Sequence, residues 1–389
     1  MAETNVADGI YEERSALYYP YIHIRSENWL KTALLAFQKV NRIVPNSYAL
    51  TDDETISPYS QLHGPDGRPL LDQANIHSDR VLRAQESLFA RFQEHEADLV
   101  EHYARDHTPR KYLAGANSFQ MHRMKLLDRK FADWLVRAKL AWDTHQRIGR
   151  DTFDWLTMHP RLGSAVMSVL ALAIARQDGL KVVTPSRKTH QTLLAHSEKH
   201  IVAKLLKLPI PFDQEESEDV VVQDLCQMVL MTGFDLTRLT PEDVRDMVVK
   251  GGRELGKFYG KLSTVAARIP EGLDDAARSR YLDAKADEVL ADWRQCTEKL
   301  PQLRQAIEDG AREKVVELAI DVAKEAVVAH SLVHTLGGAP GIALAIVKKA
   351  GVAMQRAHNS PYAFLNRVEK LVDKRVGSLY VPQWRALAS

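Results

Sequence analysis

The sequence predicts an α+β protein that is mostly α: a small N-terminal α/β portion followed by a helical bundle. Three observations lead there. A strand-like, a helix-like and a second strand-like segment follow one another between Leu17 and Pro45, the size of one βαβ unit. Two long segments after them repeat apolar residues at helical spacing. From Thr240 onward the apolar pattern keeps that period. The acidic stretch Asp213 to Asp219 has no apolar anchor and reads as a solvated linker or loop between portions 1–212 and 220–389.

Leu17 to Ile24 (LYYPYIHI) is rich in aromatic and β-branched residues and suits a first strand, which Pro20 pushes toward an edge or a bulge. Ser26 offers an N-cap, and Leu30, Leu34 and Phe37 recur up to Val40, so residues 27–41 read as a helix. Arg42 to Pro45 reads as the second strand, parallel to the first, and residues 46–75 as loop. Ser78 to Arg105 buries Val81, Leu88, Phe92, Leu99 and Tyr103 on one helix, and Ser118 to Arg147 buries Met124, Leu127, Phe131, Leu135 and Trp142 on another. Residues 159–177 are apolar nearly all round, the mark of an enclosed helix, and Leu180 to Thr184 returns to strand character and adds to the sheet. The run 220–231 fits strand or buried helix, with a lean to strand at its end. Thr240-Pro241-Glu242-Asp243 starts a helix with a threonine cap, a proline at the first position and acids in the first turn. Val289 with Trp293, Leu303 with Ile307, Val315 with Leu318 and Val322, and Phe364 with Val368 and Leu371 mark further helices.

At 389 residues and 45% hydrophobic content the chain can bury a large core. Lys and Arg number 52 against 51 Asp and Glu, a formal charge of +1, so no global field favours nucleic acid or an anionic membrane. Cys226 and Cys296 stand alone without a CxxC, which argues against a disulfide framework or a cysteine-rich zinc site. The acidic N-terminus, MAETNVADGIYEERS, lacks the basic start and apolar run of an export signal, and a cytoplasmic location is expected.

Each motif has a chemical and a structural reading. Gly251 to Lys257 matches the GxxxxGK spacing of a phosphate-binding loop, but Phe258 replaces the magnesium-binding hydroxyl and the segment continues a capped helix, so a helix with tolerated glycines is the better reading and no cofactor is expected. His95, Asp98 and His102 lie at i, i+3 and i+7, a spacing that lets one helix side offer ligands to a divalent metal, or simply line the edge of an apolar stripe. His330 and His334 form HxxxH, with Ser331 where a zinc protease has glutamate, and read as a buried or partner-facing pair. Ala326 to Val347 carries no Asp, Glu, Lys or Arg over about the 20 residues a membrane span needs, but Gly337, Pro340 and Gly341 favour two short helices and a turn. Asp52, Asp53 and Glu54 can hold a metal, while Thr51 with Glu54 makes a helix-capping box, the favoured reading. No GxSxG and no paired cysteine and histidine mark a nucleophile.

LYYPYIHI with Trp29-Leu30-Lys31 and RIVP, then HPRLGSAVMSVLALAIA with VVT, TPEDV with RELGKFY, and NSPYAFL, together resemble an uncharacterised bacterial family known only as a domain of unknown function. The resemblance spans most of the chain. It implies a bacterial cytoplasmic protein, transfers no catalytic residue, and by association points to a defence or stress gene cluster. Arg253 and Glu254 of RELGKFY fit a charged face within one helix. The expected function is therefore a non-enzymatic interaction protein with a protein partner or a second copy of itself. The alternatives are a membrane-contacting effector acting through residues 326–347 and a metal-dependent hydrolase using His95, Asp98 and His102.

Overall fold

The computed structural model describes residues 14–19, 21–45, 48, 50–104, 119–148, 151–185, 198–207, 218–267, 275–308 and 360–376. The fold is α+β and mostly α, with the sheets in the N-terminal part. Residues 13–216 and 217–389 fall into two compact units.

The first unit begins with β1 (Ser15–Tyr18), a buried strand that ends at Tyr18, although the Tyr19 amide still donates to the Val183 carbonyl. The chain then enters α1 (Glu27–Phe37), where the Ser26 side chain accepts from the Trp29 amide and caps the helix as its sequence predicts. Gln38 ends α1 in the left-handed region (φ 65°), with its amide on the Leu34 carbonyl. This single residue corrects two expected boundaries. The helix stops at Phe37 instead of residue 41, and the second strand, β2 (Lys39–Arg42), takes Val40 out of the helical stripe and ends where the strand Arg42 to Pro45 was expected to begin.

β1 and β2 are parallel, as a βαβ unit requires. The expected loop 46–75 contains a 3-10 turn, Ser57–Ser60, and a further parallel strand, β3 (Leu71–Gln73). The strand expected from Leu180 is β7 (Lys181–Val183), and it pairs with the other side of β1, giving the all-parallel order β3-β2-β1-β7.

The segment from 78 is two helices, α2 (Asp79–Glu94) and α3 (Glu96–Tyr103), because His95 leaves the helical region at φ −113°, ψ 25°. Ser78 caps α2 through the Val81 amide, and Val81, Leu88, Phe92, Leu99 and Tyr103 are buried. The long helix expected over 118–147 is not there. Its residues form β4 (Phe119–His122), a 3-10 turn at Arg123–Lys125, α4 (Arg129–Arg137) and β5 (Ala141–Ile148). β6 (Asp151–Met158) completes an antiparallel sheet of order β4-β6-β5. Only Phe131 and Leu135 of the expected stripe share a helix. Trp142 belongs to β5, and Met124 is 45% exposed.

α5 (Pro160–Asp178) is buried along most of its length, as its all-round apolar sequence demands, and packs against α2, β4 and β7; α6 (Glu198–Leu206) packs on α5 and α2. Gly163 lets α5 approach β4, since a Cβ there would lie 2.2 Å from Cδ1 of Phe119. Gly163→Ala is therefore expected to lower stability by about 1–3 kcal/mol through overpacking, read as a fall in the urea midpoint with unchanged slope.

The second unit is helical throughout its described residues. α7 (Glu218–Gly233) overturns the lean to strand: Val222, Leu225, Cys226, Val229 and Leu230 are all buried at helical spacing. α8 (Pro241–Lys250) carries the predicted start as a capping box between Thr240 and Asp243. α9 (Gly252–Ala266), α10 (Asp275–Glu308) and α11 (Ala363–Val376) complete it. Phe258 stacks on Phe364, and Trp293 Nε1 donates to Asn366 Oδ1 at 2.7 Å. Glu254 accepts from Arg367 at 2.7 Å, so it joins α9 to α11 rather than forming a charged face within one helix.

Candidate functional site

In an open sheet of parallel strands, ligands collect outside the carboxyl ends of the strands at the point where the strand order reverses. Here the chain runs from β1 through β2 to β3 and then returns to the far side of β1 as β7, so the reversal lies between β1 and β7. The residues that follow β1 and β2, at the carboxyl ends of these neighbouring strands, carry a group of buried polar side chains.

Arg42, the last residue of β2, is 2% exposed and makes a bidentate pair with Asp52 at 2.6 and 2.7 Å. A bidentate fork satisfies both charges and fixes the guanidinium plane. Its Nη2 also reaches Ser60 Oγ at 3.4 Å, while its Nε has no hydrogen-bond partner. At the start of α1, Glu27 accepts from the Tyr59 hydroxyl at 3.1 Å and pairs with the buried Lys31 at 3.1 Å. Asn28 Oδ1, beside them, is buried without a partner.

Downstream of β1, His23 Nε2 lies 2.9 Å from the Tyr48 hydroxyl, and the Tyr18 hydroxyl donates to the His23 carbonyl at 3.1 Å. Burial pushes the His23 ring below its ordinary pKa against the opposing pull of Asp52, which favours the neutral ring in its hydrogen bond with the Tyr48 hydroxyl. Burial also raises the Tyr48 hydroxyl. Tyr48 packs with Ile22 and Val44 in a small apolar cluster apart from the main core, with Leu50 and Trp155 against it. The Trp155 and His122 rings meet Tyr48 edge-on at centroid distances of 5.9 and 5.7 Å. Strand register explains their neighbourhood, because His122 of β4 and Trp155 of β6 are directly paired residues. Trp155 Nε1 is buried with no hydrogen-bond partner. The edge thus combines aromatic faces with two unspent donors, Arg42 Nε and Trp155 Nε1, and one unspent acceptor, Asn28 Oδ1. Buried polar atoms are nearly always paired, so each of these three calls for a partner, a water molecule or a ligand group, that the described side chains do not supply.

Of the residues singled out from sequence, Asp52 belongs to this edge as the partner of Arg42, and His95, Asp98 and His102 lie elsewhere. His95 sits at the break between α2 and α3, with Nδ1 3.7 Å from an Asp98 carboxylate oxygen, and His102 Nδ1 bonds the Asp98 carbonyl at 2.8 Å. Among the described residues no group of three or more His, Cys, Asp or Glu gathers as a metal site. Asp52 is held by Arg42, and no helix starts at Thr51. The Asp53 carbonyl instead takes the Ile56 and Ser57 amides in a turn, which corrects the capping-box reading. Gly251 joins α8 to α9, its amide bonded to Met247 and its carbonyl to Leu255, so the GxxxxGK segment is helix. Residues 326–347, with His330 and His334, lie outside the described residues. Among the described residues no helix is long and apolar enough to cross a membrane. No family model, no curated protein and no solved structure matches the chain.

Proposed function

We propose that the protein is a recognition protein whose α/β unit binds a small polar ligand at the carboxyl edge of its parallel sheet. One observation carries this reading. Arg42 Nε, Trp155 Nε1 and Asn28 Oδ1 are left without partners around a rigid frame made by the Arg42–Asp52 fork and the His23–Tyr48 bond. Two donors and one acceptor, with the guanidinium charge already neutralised, favour an uncharged molecule rich in acceptors, and the aromatic rings suit a flat or ring-shaped one. The long amphipathic helices and the bacterial-family resemblance support a wider role as an interaction protein with a macromolecular partner in a defence or stress system.

The test is a thermal-shift screen of the full chain with nucleosides and monosaccharides, followed by calorimetry. A ligand at about one hundred times its Kd adds about 2.7 kcal/mol to the stability of the native state. That shift is expected in the wild type and should be lost in Tyr48→Phe and Trp155→Phe. A ligand whose effect survives both substitutions binds elsewhere and refutes the reading, as does a screen with no shift.

A further inference from the structure

We infer that the outer edge of β5 is a self-association surface: two copies of the chain pair β5 with β5 antiparallel about a two-fold axis and join their antiparallel sheets into one. This stands on the sheet and its sequence and does not depend on the ligand reading of the parallel-sheet edge.

β5 is an edge strand, since the order β4-β6-β5 leaves its far side without a strand among the described residues. It is long for an edge. Its residues pair with β6 in unbroken register from Ala141↔Met158 to Ile148↔Asp151, without a bulge, and AWDTHQRI contains no Pro, Gly or Lys. Bulges, prolines and lysines are the devices that normally stop an edge strand from accepting another. The sheet is also incomplete. β4 pairs only with residues 155–158 of β6, so the half of the hairpin made by residues 145–148 and 151–154 has two strands, and a two-stranded ribbon is marginal in water without a third.

A second copy of β5 supplies that strand, and symmetry limits how it pairs. Directly opposite residues of an antiparallel pair lie on the same face, and a two-fold axis normal to the sheet leaves every residue on its own face. Opposite positions must therefore differ by an even number, which puts the axis on a residue of β5 and never between two. The only Asp, Glu, Lys or Arg residues in the strand are Asp143 and Arg147. With the axis on His145, Asp143 of each copy stands opposite Arg147 of the other, and Thr144 stands opposite Gln146. Moving the axis to Thr144 or Gln146 separates the two charges. Opposite charges directly across a strand pair are stabilising, and the two-fold makes this pair twice. The Asp143 side chain is 39% exposed, and Arg123 of its own chain takes Oδ1, so Oδ2 is open to a second cation.

Sedimentation of the full chain at micromolar concentrations is expected to show a dimer. Asp143→Arg and Arg147→Asp each set like charges across both pairs and should weaken it at least about tenfold. Mixing the two variants makes both pairs opposite again, and a mixed dimer should recover. Because Asp143→Arg also removes the Arg123 contact, cysteine cross-linking gives an independent readout, with the wild type as control. Under mild oxidation His145→Cys, on the axis, should form a disulfide-linked dimer, and Gln146→Cys, opposite Thr144, should not. A monomer at every concentration, whose edge would then await a strand from a different protein, overturns the inference. So does a dimer that ignores both charge reversals, a mixture of folded variants that fails to recover, or cross-linking at residue 146 as readily as at 145.

Discussion

Replacing Lys125 with methionine is expected to make the protein more stable. Methionine matches the length of the lysine stem and removes only the ammonium, so the packing around the 3-10 turn is kept. In the folded chain the amine titrates near 7, against 10.5 for the ordinary side chain. Below pH 7 both states carry the charge and the full cost of burying it opposes folding. Between 7 and 10.5 the unfolded chain binds the proton and the folded chain does not, so stability rises with pH across that window. At about 1.4 kcal/mol per pH unit the drop corresponds to about 5 kcal/mol, and relaxation around the charge brings the expected gain to about 2–5 kcal/mol at pH 6. Urea unfolding of both chains from pH 6 to pH 10 checks this. The lead of Lys125→Met should be largest at pH 6 and shrink toward pH 10. A variant that is less stable at pH 6, or a difference that ignores pH, would mean that the ammonium is compensated in the folded state.

Local signals made part of the fold legible. Ser26 and Thr240 announce their helices because a capping side chain acts within three residues of its partner amide. The helix from Pro160 is legible because burial on most sides leaves little polar face, and LKVVT because its adjacent valines favour extended backbone. The antiparallel sheet is a different case. Phe131 and Leu135 form one true helical pair, and extending their period in both directions swallowed β4 and β5. Thr144, Ile148, Thr152 and Thr157 were the opposing signal, since β-branched residues with an intervening Gly149-Arg150 pair favour a hairpin over a helix. At Gln38 no side-chain pattern announces a left-handed residue, so the helix-to-strand boundary moved by four residues.

The candidate site was hidden for a related reason. His23, Arg42, Tyr48, His122 and Trp155 come from five separate stretches and meet only through the parallel order of β1 and β2 and the pairing of β4 with β6. Spacing rules see residues that share one element, which is why His95, Asp98 and His102 stood out and these did not. Arg42 gave a faint signal, as a lone charge inside RIVP where a strand should be apolar. Lys125 gave none, because a lysine beside Met124 and Leu126 looks like a solvated helix position.

The Arg42–Asp52 fork is the other place where a single substitution should have a large effect. Asp52→Ala leaves the guanidinium buried with only the long contact to Ser60, and stripping one partner from a buried pair costs about 3–5 kcal/mol. Arg42→Met together with Asp52→Leu removes both charges and should recover most of that loss, because the penalty comes from the orphaned charge more than from the missing bond. The histidine beside the fork reports the same change independently of stability. The Asp52 carboxylate supports the protonated His23 ring against burial, while Arg42 opposes it. In Asp52→Ala both effects push the same way, so His23 should titrate at lower pH than in the wild type, followed by the ring proton shifts in NMR. In the double variant the two influences are removed together, and the titration should return part of the way. A His23 that titrates identically in all three chains would show that the fork and the imidazole do not share one electrostatic site, and the frame drawn around the sheet edge would fail with it.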